Sequence, residues 1–307
     1  MKYLRYLRYT KSLYWTNYLL KNNIPIEDFR LNKDGRLFIR SANYSFSKGE
    51  FDVYFKTYSK YNWKFIENNI NISFSEKEIF VNVTGLKIKI ETVEDWYIIN
   101  EIFIENIYNV RIPGDYILID VGMNIGITSL YFSTKDFIKK TYSFEPVKLT
   151  YEAAIENFQL NEVTAKKITP FNYGLGSSNR TNEVLFDRNN KGKTSIINQN
   201  VNPDAKHIRI EIRNVVDEFL KIIDENPEIN DIILKLDCEG AEYEILQELH
   251  KHRLLDRIRV VLLEWHKIEK VNMTVNDIIE LFEKNSFCTF PLTSMQGDIG
   301  MMYCVRV

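Results

Sequence analysis

The sequence contains few of the residues that build disulfide frameworks or zinc sites. Its three cysteines, Cys238, Cys288 and Cys304, are odd in number and widely spaced among 307 residues, which fits neither type of site. No uninterrupted apolar run approaches the roughly 20 residues that a membrane-spanning helix requires. We therefore expect a protein of a reducing compartment, the cytoplasm, with no transmembrane segment.

The chain also lacks an excess of charge of either sign. Forty basic and 42 acidic residues give a formal net charge of −2, which provides no overall attraction to nucleic acid. Hydrophobic residues make up 45% and charged residues 27% of the chain, close to the averages of globular proteins. We expect a folded protein without a nucleic-acid partner.

Acidic residues are absent from the first twenty positions, which are rich in basic and aromatic residues. Apolar residues recur every three or four positions from 3 to 20, so the pattern predicts one amphipathic basic helix. This helix either packs its apolar face on the rest of the protein or docks on an anionic membrane surface or a partner. Arg5, Arg8 and Lys11 interrupt the apolar core that a cleaved secretory signal would need, so none is predicted.

Two regions with different patterns follow. Short β-type runs between Gly, Asn and Ser occupy residues 37–90 and predict a small β-rich module. Residues 93–108 have helical spacing before Pro113-Gly114 breaks the chain. We therefore predict an N-terminal region of residues 1–109 and a second domain of residues 110–307. The strands predicted in the module cover 36–40, 51–58, 79–83 and 86–90.

The second domain alternates apolar strand-like runs with helical stretches. This alternation predicts right-handed βαβ units and a mainly parallel sheet. Two closing strands, at 287–292 and 301–307, are expected to form an antiparallel edge hairpin. The other predicted strands cover 116–121, 141–145, 168–173, 232–237 and 259–264, and the main helices cover 149–160 and 241–250.

The turn after the first of these strands is the strongest chemical signal. Gly122 and Gly126 let a nucleotide-type ligand approach the backbone at this point of an open α/β sheet. A dinucleotide site would carry glycine where this chain has Asn124. Asp120 would repel a pyrophosphate but suits the ammonium and sulfonium charges of S-adenosylmethionine. The turn therefore favours that cationic cofactor over NAD.

Acidic residues also follow two later strands. Glu145, just before Pro146, lies about 20 residues past the glycine turn, where an acid commonly binds ribose hydroxyls. Asp237 and Glu239 are expected to face the same side, because side chains alternate along a strand. Glu242, in the first turn of the next helix, is interpreted as a capping or helix-dipole acid.

A further buried strand ends in Glu264-Trp265-His266. His266 is a candidate general base, substrate donor or metal ligand, with a buried structural histidine as the competing interpretation. His207, His250 and His252 lie in polar or helical surroundings and are expected at the surface.

Taken in order, these segments resemble the FkbM family of S-adenosylmethionine-dependent methyltransferases. The resemblance covers roughly residues 109–307 and implies a class I methyltransferase (Rossmann-like) α/β fold with a seven-stranded, mainly parallel sheet. It also implies methyl transfer, usually to a hydroxyl oxygen of a sugar, glycan or natural product. The matching segments are Asp120-Val121-Gly122-Met123-Asn124-Ile125-Gly126, Phe144-Glu145-Pro146, Asn172-Tyr173-Gly174-Leu175-Gly176, Lys235-Leu236-Asp237-Cys238-Glu239-Gly240-Ala241-Glu242 and Glu264-Trp265-His266.

The motifs and the resemblance together give a set of expected site residues. Candidates for taking a proton from the acceptor are Asp237, Glu239 and His266. A divalent cation held by the same acids and His266 is the less favoured alternative. The N-terminal region is a sensible place for acceptor recognition or self-association. The expected cofactor-binding residues are Asp120, Gly122, Asn124, Gly126, Thr128, Glu145, Pro146, Tyr173, Gly174 and Asp237.

Two other functions stay open. A non-catalytic binding module can use a methyltransferase fold to hold a ligand or recruit a partner. An NAD-dependent oxidoreductase is disfavoured by Asn124 in place of glycine. Selective binding of S-adenosylmethionine and turnover on an acceptor separate these functions from methyl transfer.

Overall fold

The computed structural model of the chain describes residues 1–21, 25–40, 44–47, 68, 70–75, 78–186, 206–267, 274–292 and 298–307. The chain divides into two units, Met1–Glu105 and Asn106–Val307. Within the ranges just given, no helix combines the length and the hydropathy needed to cross a bilayer. The strand predicted at 51–58 lies outside the described residues.

The N-terminal unit begins with two short helices, α1 (Lys2–Thr10) and α2 (Leu13–Lys21). The single helix predicted from 3 to 20 is wrong, because Lys11 adopts a left-handed backbone conformation with φ 49°. The backbone N–H of Lys11 donates to the carbonyl of Leu7 and closes the first helix there.

Two small antiparallel sheets follow among the described residues of this unit, which confirms the predicted β-rich N-terminal region. A capping box formed by Thr92 and Asp95 then starts a helix. That helix continues as a π-helical turn, Glu101–Glu105. The elements are β1 (Phe29–Leu31), β2 (Leu37–Ile39), β3 (Tyr44–Phe46), β4 (Asn71–Ser75), β5 (Glu78–Val83), β6 (Leu86–Ile90) and α3 (Val93–Asn100).

The C-terminal unit is built on a seven-stranded sheet, in the order β15-β16-β14-β13-β7-β8-β9. Four neighbouring pairs are parallel, and β16 runs antiparallel to both of its neighbours. The predicted mainly parallel sheet with an antiparallel edge hairpin is confirmed. Its strands are β7 (Tyr116–Val121), β8 (Ile138–Phe144), β9 (Ile168–Phe171), β13 (Asp231–Leu236), β14 (Ile258–His266), β15 (Phe287–Pro291) and β16 (Ile299–Arg306).

Helices connect these strands, as expected for βαβ units. The strand order reverses at β7, because β8 lies on one side of it and β13 on the other. Ligands of open α/β sheets bind outside the carboxyl ends of the strands at such a reversal. The helices are α4 (Ile127–Ser133), α5 (Lys148–Gln159), α6 (Glu162–Ala165), α7 (Val215–Asp224), α8 (Glu242–Lys251) and α9 (Val275–Lys284), with a 3-10 turn at Leu254–Arg257.

A second sheet of three strands, which the sequence pattern did not reveal, lies in the same unit. It consists of β10 (Gly174–Gly176), β11 (Arg180–Phe186) and β12 (Lys206–Asn214), with β12 in the middle. Its buried side chains include Ile210 and Ile212, which pack with Val147. This sheet supplies an apolar wall next to the carboxyl ends of the main sheet.

Candidate functional site

The turn after β7 requires unusual backbone conformations at three positions. Gly122 has φ +84°, and a Cβ there would lie 1.7 Å from the carbonyl oxygen of Asp237. Gly126 has φ +82°, and a Cβ there would lie 2.6 Å from the ring of Phe158. Asn124 also has positive φ, 53°, a conformation that asparagine adopts more readily than most residues. Asn124 therefore adopts a left-handed conformation that glycine adopts without strain.

Lys235 connects this turn to the next strand. Its side chain is almost fully buried, and its ammonium group donates to the carbonyl of Gly122 at 2.6 Å. The same group lies 3.4 Å from the carboxylate of Asp120 and 3.2 Å from that of Asp237. The negative charge of these two acids outweighs the effect of burial and raises the pKa of Lys235. One buried cation thus holds two acids in place.

Asp120 lies beneath the turn. It is fully buried and accepts a hydrogen bond from the hydroxyl of Ser129 at 2.5 Å. Burial raises its pKa, although the charge of Lys235 opposes this effect. Asp120 therefore supports the turn and stabilises Lys235 from below.

Glu145 is attached to the turn by its side chain. One carboxylate oxygen accepts from the backbone N–H of Asn124 at 3.0 Å, and the other accepts from that of Val147 at 2.9 Å. Burial raises the pKa of Glu145 to about 7, although both hydrogen bonds favour the ionised form. Each carboxylate oxygen has a second lone pair with which it can accept from a ligand.

A cavity that is open to solvent lies at this end of the sheet. Acidic groups line one part and apolar side chains line another. The lining residues are Val121, Gly122, Asn124, Phe144, Glu145, Pro146, Val147, Thr150, Gly174, Leu175, Ile210, Ile212, Asp237, Cys238, Glu239 and Ala241.

A second cluster of ionisable groups surrounds His266. Its Nδ1 donates to Oε1 of the fully buried Glu242 at 3.1 Å, and that oxygen also accepts from the backbone N–H of Cys238 at 2.9 Å. The Nε2 atom lies 3.6 Å from Glu239 and 3.8 Å from Glu264. Burial alone would lower the pKa of His266, but the hydrogen bond and charge of Glu242, with Glu239, raise it to about 9. The cluster therefore favours positive charge.

The sequence matches a family profile at the same elements that build the cavity. The profile of the methyltransferase FkbM domain covers residues 120–288, more than half of the chain. The chain belongs to the FkbM methyltransferase family. The predicted family and the class I, Rossmann-like methyltransferase fold are thereby confirmed.

Two fungal methyltransferases are similar to this family member. Methyltransferase sdnD of Sordaria araneosa is 24% identical over 215 residues, which cover 62% of this chain and 82% of that protein. Methyltransferase 1 of Beauveria bassiana is 27% identical over 188 residues, covering 55% and 73%. A crystal structure of methyltransferase FkbM from Methylobacillus flagellatus aligns with 64% of this chain at a TM-score of 0.41 and 15% identity. The chain spans 44% of that larger structure.

The predicted site residues of this FkbM family member divide into two groups. Six expected cofactor residues, together with Glu239, line the cavity, whereas four do not. Asp120 lies beneath the turn, and Tyr173 donates from its hydroxyl to Glu218 at 3.0 Å within the core. Thr128 is buried in α4, and Gly126 packs against Phe158. His266 lies beside the cavity. The expected cofactor residues in the wall are Gly122, Asn124, Glu145, Pro146, Gly174 and Asp237.

The sequence did not predict that Lys235 would hold the site acids or that Glu242 would contact His266. A lysine inside the apolar strand 232–236 has to be paired if it is buried, so the signal was present. Glu242 was interpreted as a helix acid, and it is one, but its carboxylate also contacts His266 across to β14. That long-range contact has no local signature.

Proposed function

We propose that this protein is an S-adenosylmethionine-dependent O-methyltransferase. The observation that carries this proposal is that Glu145 and Asp237 line one cavity next to the glycine turn. Glu145 directly follows β8 and Asp237 directly follows β13, and β7 lies between these strands. The cavity therefore lies at the reversal of strand order, where adenosine ligands bind in open α/β sheets.

The chemistry of the lining residues fits S-adenosylmethionine. Glu145 can accept from two ribose hydroxyls, since a carboxylate offers about four acceptor positions. Asp237 and Glu239 suit the ammonium group of the amino-acid part. Ile210 and Ile212 provide an apolar surface of the kind that an adenine ring needs. When bound, the cofactor supplies an electrophilic methyl group on a positively charged sulfur.

The acceptor proposed for this site is a hydroxyl group of a sugar, glycan or natural product. With the cofactor held beside Glu145 and Asp237, the acceptor oxygen would take the methyl group, sulfur would keep the electron pair of the broken carbon–sulfur bond, and a carboxylate would take the hydroxyl proton. Glu239 is the best-placed base, because it lines the cavity, whereas Asp237 is held by Lys235 and His266 lies outside the wall. Most of the acceleration comes from holding the two reacting atoms in line.

The N-terminal region, residues 1–109, has a separate role in this proposal. The cavity and the groups that take the proton all lie in the C-terminal unit. The N-terminal region is therefore available to bind the acceptor or a second copy of the chain. Removing a docking region weakens acceptor binding without changing the cofactor site. Comparing cofactor and acceptor affinities after substitutions on α1 tests this role.

Two measurements test the proposed function. In isothermal titration, S-adenosylmethionine and S-adenosylhomocysteine should bind and NAD should not. With a radiolabelled methyl group, transfer onto a panel of sugars, glycans and polyketide alcohols should be detected for at least one hydroxyl acceptor. Binding of NAD instead would support an oxidoreductase. Cofactor binding with no transfer to any acceptor would support a non-catalytic module.

The Glu239→Gln variant tests the assigned base. It should lower kcat by about 100-fold or more, while the affinity for S-adenosylhomocysteine changes little. Glu280→Gln, on the exposed face of α9, is the control and should behave like the wild type. Equal turnover of the Glu239→Gln variant and the control would exclude Glu239 as the base.

A further inference from the structure

One imidazole and two carboxylates lie close together at the edge of the cavity. One ligand atom from each of Asp237, Glu264 and His266 falls within 4.8 Å of the other two. Octahedral ligands about 2.1 Å from one ion are roughly 3–4 Å apart. Small side-chain rotations would therefore bring all three ligands onto a single cation.

Two neighbouring strands position these ligands: Glu264 and His266 lie in β14, and Asp237 directly follows β13. Leu236 pairs with Leu263 in the parallel β13–β14 register, which puts Asp237 and Glu264 at the same level of the sheet. His266 is two residues beyond Glu264 in β14, so both side chains lie on the same face. Sites on strands hold their ligands more accurately than sites on loops.

His266 provides an observation that is independent of the acids. The residue is 8% exposed, and its Nδ1 is occupied by the hydrogen bond to Glu242. No residue in the described part of the chain makes a hydrogen bond with Nε2, which faces Glu239 and Glu264. A cation that displaces the proton from this nitrogen can use it as a ligand, because metal binding to histidine releases a proton.

The contact with Glu242 is typical of metal-binding histidines. Such histidines donate their other ring N–H to a carboxylate, which fixes the tautomer and the ring orientation. A carboxylate can only accept, so Nδ1 carries the hydrogen and Nε2 offers its lone pair when the ring is neutral. Glu242 is fully buried and is also held by the backbone of Cys238, so the ring is fixed before any cation arrives.

The surrounding charge also favours a bound cation. Four carboxylates, of Asp237, Glu239, Glu242 and Glu264, lie around His266, while Lys235 shares its charge between Asp120 and Asp237. The negative charge of these carboxylates would attract a divalent cation to this place.

We propose that Asp237, Glu264 and His266 bind a first-row divalent metal cation, with Glu242 as the residue that orients the imidazole. Two oxygen ligands and one nitrogen ligand suit ions such as Mn²⁺ better than Ca²⁺ or Mg²⁺, which prefer oxygen alone. Three protein ligands leave coordination positions open for water or substrate, as in catalytic metal sites.

The position of this site suggests its use. Asp237 belongs to both the metal group and the cavity wall, so the cation would lie next to the reacting groups. There it would polarise the acceptor hydroxyl and make its proton easier for Glu239 to take. The proposal that a cation binds here rests on the geometry alone. The proposal that it acts on the acceptor rests on the proposed function.

Mn²⁺ binding to the full chain, stripped with a chelator, tests the proposal. The free Mn²⁺ signal in electron paramagnetic resonance should show one saturable site per chain. Glu264→Gln should weaken the affinity for Mn²⁺ by about tenfold or more. Glu242→Gln should do the same, although it alters only the residue that orients the ring. Glu280→Gln should bind Mn²⁺ like the wild type. Absence of saturable binding by the wild type, or wild-type affinity in Glu264→Gln, would overturn the proposal.

A second measurement does not depend on variants that fold. The chain has four histidines, so its imidazole signals can be followed individually in ¹⁵N spectra. Substoichiometric Mn²⁺ should broaden the signals of His266 before those of the exposed His250 and His252. Equal broadening of all the histidines would mean non-specific binding and would refute the assigned ligands.

A parallel titration with S-adenosylhomocysteine separates this proposal from the proposed function. Glu264 is not in the cavity wall, so Glu264→Gln should keep its affinity for S-adenosylhomocysteine. Suppose that S-adenosylhomocysteine binds and methyl transfer persists in excess chelator, while the stripped chain shows no saturable Mn²⁺ binding. The metal site is then refuted and the proposed function stands. If Mn²⁺ binds at His266 but S-adenosylhomocysteine does not bind, the proposed function fails and the metal site stands.

Discussion

The ammonium group of Lys235 lies 3.4 Å from the carboxylate of Asp120, and both side chains are almost completely buried. The two residues are register partners on β13 and β7, at the centre of the sheet. The same ammonium group also contacts Asp237 and the carbonyl of Gly122. The pair therefore stabilises the sheet and also holds the residues of the site in position.

Replacing Lys235 by Met should therefore destabilise the protein. The change leaves Asp120 buried without a counter-charge, which typically costs about 3–5 kcal/mol. Urea denaturation measures this loss. Lys148→Met, at a highly exposed lysine in α5, removes the same charge and should change stability by less than about 0.5 kcal/mol. Equal stability of the two variants would contradict the role assigned to Lys235.

Gly122→Ala has a matched control in Gly85→Ala. Both glycines have φ +84°, but a Cβ at Gly85 meets nothing within 4 Å, whereas one at Gly122 would overlap the carbonyl oxygen of Asp237. Gly85→Ala should cost the backbone strain alone, about 1–2 kcal/mol. Gly122→Ala should cost more in urea denaturation and should also abolish binding of S-adenosylhomocysteine. If Gly122→Ala still bound S-adenosylhomocysteine, the close approach of Gly122 and Asp237 would not be needed for the cofactor site, which would contradict the account.

The raised pKa of Glu145 predicts how stability changes with pH. The folded protein binds the proton more tightly than the unfolded chain, because the pKa rises from its ordinary 4.5 to about 7. The stabilising contribution is thus complete below about pH 4.5 and is lost as the pH rises through about 7.

Glu145→Gln cannot ionise, so its stability should fall less than that of the wild type between pH 5 and pH 8. The difference in slope should accumulate to roughly 3 kcal/mol by linkage. Unfolding midpoints in urea across this pH range provide the measurement. Parallel profiles for the two proteins would mean that Glu145 titrates normally.

Tyr173 was expected to contact the cofactor, but its side chain lies in the core. Replacing it by Phe distinguishes these two roles. Its hydroxyl donates to Glu218, and the guanidinium of Arg213 lies 3.8 Å from its ring centroid. Tyr173→Phe should lose about 1–3 kcal/mol of stability, as expected for a hydrogen bond to a charged group. Its affinity for S-adenosylhomocysteine should stay within about twofold of the wild type. A tenfold weaker affinity would mean that Tyr173 reaches the ligand after all.

The sequence predicted the main sheet well because buried parallel strands are continuous apolar runs. It also predicted where Glu145 and Asp237 lie, since carboxyl ends of neighbouring parallel strands meet at one edge. Alternation along the strand failed for Glu239: β13 ends at Leu236, and Glu239 has φ 52°. Glu239 does line the cavity, but a turn places it there.

Other features could not be predicted because they depend on contacts distant in sequence. The strand β10 has three residues, too few for a period to be visible. The break at Lys11 has no glycine or proline to mark it. The contact between Glu242 and His266 spans 24 positions, and no local pattern encodes such a pair.

The most direct test of the central claim is a crystal structure with S-adenosylhomocysteine. We predict that the ribose hydroxyls lie within hydrogen-bond distance of the Glu145 carboxylate and that the amino-acid part lies beside Asp237. The sulfur should then face Glu239 across open space for an acceptor. A ligand bound elsewhere, or bound in this cavity without contact to Glu145 and Asp237, would contradict the account.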